Sequence, residues 1–303
     1  MFRIGSHQTT GRTAPAYAAL AASILWLASG SAASAQSLNW EGQTGVFVTP
    51  LAYTAGSPKN NLGKPIVAYH YLNAGEALGG FHTASVTLGL FSRAEFGYTR
   101  VFHQAGGTAG LSALWKGQFN IVHGKVGIVP ENGGKNNWLP GISAGFVART
   151  HNQHVSGILA GNDKSYNNYD FFVVATKLIT QSQPVPILLN FGVKATNASV
   201  FGLAGNAPAY EGRLFGAAAF VFKGPKRSQL IFGSEFAQQP KGVLNLPGAD
   251  VPTTITYAAR IVPAPERARF NIDFGVAQAA GKILPGVDLK VRHNFAFGVS
   301  YGF

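Results

Sequence analysis

The residues that could do chemistry are few and poorly placed for it. His151 and His154, three apart in HNQH, would offer two imidazoles to one metal if they lay on a helix, but no carboxylate is near and the surroundings read as a polar loop. His293 and Ser300 are seven apart in a strand-like ending, on opposite faces, so they cannot serve as base and nucleophile to one another. Asp163 and Lys164 lie among Gly, Ser and Asn without the spacing of a calcium or phosphate loop. Gly106–Gly110 and Gly202–Gly205 are glycine-rich, yet no strand–loop–helix unit surrounds them to hold a dinucleotide. The chain has 0 Cys, which excludes a thiol nucleophile, a zinc ribbon and a disulfide scaffold. The expectation is a protein that is not an enzyme, with no cofactor and no metal.

What is left is charge. Among 303 residues there are only 24 Lys+Arg and 12 Asp+Glu, a sparse complement for a protein of this length. Several of them alternate with bulky apolar residues at a spacing of two. Phe270, Ile272, Phe274 and Val276 share one parity, and Asn271, Asp273 and Gly275 the other; Ile187, Leu189, Phe191 and Val193 oppose Asn190, Gly192 and Lys194; Ile255, Tyr257 and Ile261 oppose Thr256 and Arg260. Extending the rule to Arg93 and Glu95, whose neighbours Phe96 and Tyr98 face the other way, and to Arg149 and Glu235, gives a nearly balanced set of charges on one side of a sheet.

The elements that must position them are strands. Periodic segments recur at Pro65–Leu72, His82–Leu90, Arg93–Phe102, Gln118–Ile128, Trp138–Arg149, Tyr169–Thr180, Pro186–Thr196, Arg213–Lys223, Ser228–Gln238, Thr254–Val262, Ala268–Gln278 and His293–Phe303. Most have the roughly 9–11 residues with which a tilted strand crosses a bilayer. Except at Asn73–Phe81, which is short for the outside, the connections alternate long and short, as in an outer-membrane barrel with long external loops and short periplasmic turns. Two segments, those holding Lys125 and Lys177, have a muddled phase; bulk alone puts both lysines on the outward side, where they would snorkel. Pro247-Gly248 and Pro285-Gly286 read as β-turns in external loops.

The last segment, HNFAFGVSYGF, carries Phe295, Phe297, Val299, Tyr301 and Phe303 on one face and Asn294, Ala296, Gly298, Ser300 and Gly302 on the other. It resembles the final strand of bacterial outer-membrane β-barrels. That resemblance implies a terminal aromatic signal read by the barrel-assembly machinery. Near the other end, Gly42–Pro50 (GQTGVFVTP) resembles the opening of barrels of the YjbH type, which are linked to exopolysaccharide secretion.

Residues 1–35 read as a cleaved secretory signal: Arg3 and Arg12, a short apolar stretch at Tyr17–Ala28, and Ala33-Ser34-Ala35 before the cut. Residues 36–64 precede the first strand and could be a luminal plug, a periplasmic stub or a further strand. Residues 65–303 are expected to form an all-β, antiparallel transmembrane barrel of about twelve strands in the cell outer membrane. The formal charge of +12 is spread without a run of basic residues, and export argues against a nucleic-acid partner. Outer-membrane lipid, the assembly machinery and small solutes or ions are the expected partners. The leading functional expectation is a passive porin-like channel or a transport or secretion component, with Arg93, Glu95, Arg149, Lys194, Glu235, Arg260 and Asp273 facing the lumen. A closed-lumen structural or adhesion barrel, an envelope-lipid hydrolase and a soluble β-sandwich are the rivals. Twelve strands alone do not choose between a filled and an open interior: about eight give a packed one and 16–18 a channel.

Overall fold

In a computed structural model, residues 37–115, 118–133, 137–152, 155–161, 165–180, 185–263 and 269–303 are described; the expected signal and the Asp163–Lys164 and His154 positions lie outside them. Twelve antiparallel strands close into a barrel: β1 (Ile66–Asn73), β2 (Gly79–Leu90), β3 (Ala94–Ala105), β4 (Phe119–Val129), β5 (Gly141–Asn152), β6 (Tyr166–Ile179), β7 (Ile187–Ala198), β8 (Asn206–Lys223), β9 (Gln229–Ala237), β10 (Thr254–Val262), β11 (Phe270–Gln278) and β14 (Asn294–Gly302). The short strands β12 (Lys282–Leu284) and β13 (Val287–Asp288) form a separate hairpin in the last loop. Each strand pairs with its sequence neighbours, and β1 closes the ring on β14 through Ile66↔Gly302 to Leu72↔Ala296. Closure leaves no open edge, which removes the sandwich alternative.

The alternation sorts residues as a barrel wall requires. Phe191, Tyr257, Phe274, Phe295, Tyr301 and Phe303 are exposed on the outer surface, while Asn190, Lys194, Thr256, Arg260, Asn271 and Asp273 are buried inside. Phe303 also donates its backbone N–H to the Pro65 carbonyl at 3.2 Å, tying the chain end to the start of β1. An outer face of exposed Phe, Tyr, Leu and Val is the reverse of what water selects.

Two expectations about side need correction. Arg93 does not face the lumen. It lies exposed in the turn before β3, one residue ahead of the first paired position, Ala94↔Leu90, where Phe91 and Ser92 take left-handed φ of 52° and 54° and the ladder no longer dictates direction. Lys125 is not outward: it is fully buried on the inner face of β4 with Phe119, Ile121 and His123, and Val126 and Ile128 are the exposed ones. Bulk fails as a guide to side on β4 because Phe119 and Ile121 join an apolar cluster under the loops. Lys177 does take the outward parity near the end of β6, but it folds onto the β4–β5 turn, 3.3 Å from Glu131.

The two ends of the barrel differ. At one end the connections 91–93 and 224–228 are short turns; at the other, 238–253 and 279–293 are long loops, the second carrying the extra hairpin, and Ala109–Trp115 and Val155–Leu159 form short helices. Gly248 and Gly286 take φ of 77° and 79°, as the two Pro-Gly turns require. Residues 37–55 run inside the barrel, and 56–64 leave at the turn end, where Gly63 N–H bonds the Gly89 carbonyl at 2.8 Å and Leu62 bridges Leu90.

Candidate functional site

The inner segment has almost no regular structure of its own, so its backbone groups must find partners in the wall. Internal bonds include Asn39 N–H to the Gln43 carbonyl at 2.7 Å, Trp40 N–H to the Phe47 carbonyl at 2.8 Å, Val46 N–H to the Thr49 carbonyl at 2.9 Å, and bridges Leu38↔Thr44 and Gly45↔Pro50. Other backbone groups are met by side chains of the strands, by the hydroxyls of Thr87, Thr99 and Thr176 and by charged groups.

Two carboxylates hold the turns of the segment as an N-cap holds a helix. Glu235 on β9 accepts from the backbone N–H groups of Phe47, Val48 and Thr49 at 3.0, 2.8 and 2.8 Å and from the Thr49 hydroxyl at 2.8 Å. Glu95 on β3 accepts from the N–H groups of Thr44 and Ala55 at 3.0 and 2.8 Å and from the Thr44 hydroxyl. Two cations take the carbonyls. Lys125 donates to Thr44 and Leu51 at 2.9 and 2.8 Å, and Arg260 to Gly45 and Val46 at 3.1 and 2.9 Å. Hydrogen bonds with one ionised partner are about twice as strong as neutral ones, and inside a dry barrel they are not screened by salt.

The charges also pair with each other. Lys125 meets Glu95 at 3.0 Å and Arg260 meets Asp273 at 2.6 Å. Arg149, fully buried, binds Asp170 at 2.9 Å and takes Glu41 of the inner segment as its second carboxylate; Lys194 stands 3.4 Å from Asp170. Among the described residues no cation pairs with Glu235, whose charge is met by backbone dipoles instead. Further along, Tyr53 donates its hydroxyl to Glu131 at 2.7 Å; burial first, and then the adjacent Glu131 carboxylate, holds that phenol well above its usual range, so it remains a donor.

Of the seven charges expected in the lumen, Glu95, Arg149, Lys194, Glu235, Arg260 and Asp273 lie there and Arg93 does not. Sequence reasoning missed Lys125, Asp170 and Glu41. Asp170 was legible by parity with Asn168 and Phe172, but Phe172 itself points inward and hides the phase. Ser300, set aside as a nucleophile, accepts the Leu38 N–H at 3.3 Å. His70 and His123 are buried inward, and His70 Nε2 lies 3.1 Å from the Leu38 carbonyl. Among the described residues no cluster of three or more His, Asp or Glu is arranged to hold a metal.

Polar and apolar side chains share the inside: on β1–β4 Thr83, Ser85, Thr87 and Thr99 surround the histidines, and on β6–β9 an apolar strip of Phe172, Val174, Leu188, Phe215 and Ala219 stands beside Asp170, Asn190, Lys194 and Glu235. A cavity of about 160 Å³ separates Phe47 and Leu51 from that apolar wall at the turn end, and a second of about 170 Å³ lies under the loops at the other end. Between them the segment leaves a space of only about 20 Å³, roughly one water, beside Glu41, Gln43 and Lys194.

Gly42 makes the close approach possible. It has φ of 88°, and a Cβ there would collide with the Thr99 hydroxyl and come within 3.1 Å of His123 Nε2. Gly42→Ala is expected to cost about 1–3 kcal/mol from the backbone conformation, with the collision adding to it. Gly286→Ala, with φ of 79° but open space around it, carries the backbone cost without the collision. Urea midpoints of the two variants in lipid vesicles check this; equal losses would mean that Gly42 is not pressed against the wall.

No curated protein matches the chain. A family profile described as a protein of unknown function, DUF3034, matches residues 34–255, which takes in the inner segment together with the wall as far as the start of β10. That span is well over half of the chain, and the protein belongs to the DUF3034 family.

Proposed function

We propose that this protein is an outer-membrane transport barrel held shut by its own N-terminal segment. The apolar outer face, the alternation of turns and long loops and the secretory leader expected at residues 1–35 all favour that location, with the turns in the periplasm and the loops outside. In that setting the outward ladder Phe295, Phe297, Val299, Tyr301 and Phe303 is available to the assembly machinery. The observation that carries the closed state is the double carboxylate grip: Glu95 and Glu235 together take five backbone N–H groups of the segment. A purely structural barrel could fill its interior with side chains, as small barrels do. Here the wall offers charges to a separable strand of backbone, which is an arrangement that can be undone. An exopolysaccharide conduit, the role implied by the likeness at Gly42–Pro50, would need a polar bore, and the loop end of this one is covered by apolar side chains.

Planar-bilayer recording tests the reading. The native protein is expected to be nearly silent, and deletion of residues 37–55 or the pair Glu95→Gln and Glu235→Gln to give discrete conductance steps. The strand charges inside number four cations, Lys125, Arg149, Lys194 and Arg260, against four carboxylates, Glu95, Asp170, Glu235 and Asp273, so the opened lumen of the deletion variant should show little ion preference. Steps of equal size in native protein and deletion would show that the segment is not the gate. Silence in both would leave a closed structural barrel.

A further inference from the structure

The outer mouth of a water-facing barrel ought to be hydrophilic, and the inside of this one is not. Six connections fold apolar side chains toward one another over the loop end: Leu78 from the first, Trp115 and Val155 from the next two, Leu203, Leu246 and Val291 from the rest. They do not close into a solid core. They leave a cavity of about 170 Å³ whose lining has no charged side chain and no Ser, Thr, Asn or Gln. Leu78, Trp115, Leu203 and Val291 are buried at the cavity, while Leu246, Ile283 and Leu284 are half-buried and Leu159 is exposed, so the loops cover the cavity and leave it an approach from outside.

An apolar cavity of about 150 Å³ stays dry and takes up benzene, since water there would have no partners. The lining here offers a charged or strongly hydrogen-bonding molecule nothing to replace its hydration. From the loop-end cavity and its wholly apolar lining, we infer that this protein binds a small uncharged hydrocarbon, of the size of a single aromatic ring, at its outer mouth.

The inference deepens the transport reading by naming a class of solute, and rests on it only for passage beyond the segment. Below the cavity the inner wall carries Phe172, Phe215 and Ala219 beside Asp170, Lys194 and Glu235, and the second cavity beside Phe47 and Leu51 is lined by Arg260 and Asp273 as well as by apolar side chains, so a molecule of this kind would pass charged groups on its way beyond the segment. Binding itself needs only the loops.

Because detergent and lipid absorb hydrocarbons, the test needs a reporter in the cavity and one outside it. Trp115 lines the cavity and Trp138 is exposed on a turn at the opposite end. In full-length protein labelled with 5-fluorotryptophan and held in lipid nanodiscs, toluene is expected to shift the Trp115 fluorine resonance saturably and to leave Trp138 on a shallow linear drift. Benzoate, of similar size but charged, should bind at least about tenfold more weakly. Ala280→Phe and Ala204→Phe, which fill the lining from two different loops, should each abolish the saturable shift while the folded barrel keeps its heat-modifiable mobility on gels. A Trp115 resonance that does not move, that moves in parallel with Trp138, or that still saturates in both filled variants would overturn the inference. The Trp115 titration decides binding and the conductance of the deletion variant decides transport, so either can fail without the other.

Discussion

Phe191→Arg is expected to destabilise the barrel by about 2–4 kcal/mol in a bilayer, the cost of an arginine held at the midplane of the lipid-facing surface. Phe191 stands near the middle of β7, exposed on the outer face between Leu189 and Val193, with Ala175 and Gly216 as its cross-strand partners. Those small partners leave it no protein pocket to fill, so the phenyl ring is surrounded by whatever surrounds the barrel. If that is water, an exposed Phe→Arg exchange changes stability by no more than about 0.5 kcal/mol. If it is hydrocarbon, the guanidinium must bend to an interface or pull water in. Urea unfolding in lipid vesicles, followed by tryptophan emission, measures the difference. Tyr257→Arg on β10 should behave in the same way, while Leu62→Arg, exposed in the segment before β1, should be neutral. A neutral Phe191→Arg would remove the membrane location and, with it, the transport reading.

The wall was legible from sequence because a barrel strand has an inner and an outer face and the period of two reports both. In β11, Phe270, Phe274 and Val276 against Asn271, Asp273 and Gly275 leaves no ambiguity, and the twelve segments match the strands to within a few residues at most ends. The start of β8 is an exception: the ladder continues beyond the Arg213 expected from the pattern to Asn206, which pairs with Ala198. There NAPAYEG shows no contrast between faces.

The interior was far less legible. A rule that sends bulk outward fails wherever the inside is itself apolar, which is why Phe119, Ile121, Phe172 and Phe215 disguise the phase of β4, β6 and β8. Nothing in Ser37–Ala55 announces that it lies inside the wall, because its partners are remote in the chain: Glu95, Arg149, Glu235 and Arg260 become its ligands only once the barrel closes. Glycines at 42 and 45 and the Thr at 44 and 49 are signs of tight backbone approach, but they do not say to what. The apolar vestibule was likewise hidden, since five of the six loops contribute only two or three of its residues each, and the seven from 279–293 follow no single strand or helix period.

Arg149→Ala is expected to cost about 3–5 kcal/mol, more than any other single truncation inside the barrel. The guanidinium is fully buried between a strand carboxylate, Asp170, and a carboxylate of the inner segment, Glu41. Removing it leaves Asp170 with Lys194 at 3.4 Å and the Thr196 hydroxyl, but strips Glu41 of its cation at the point where the segment turns. The orphaned charge should then drive the segment out, so the loss of stability should come with conductance steps like those of the deletion. Glu41→Gln in the Arg149→Ala background is expected to recover about 1–3 kcal/mol, because an unpaired amide is far cheaper to bury than an unpaired carboxylate. Asp170→Asn in the same background should recover less, since Lys194 already serves it. That ordering separates a role in seating the segment from a general contribution to the wall: if the two rescues are equal, or if Arg149→Ala alone costs less than about 1 kcal/mol, Arg149 does not join the segment to β5 and the closed lumen must be held by Glu95 and Glu235 alone.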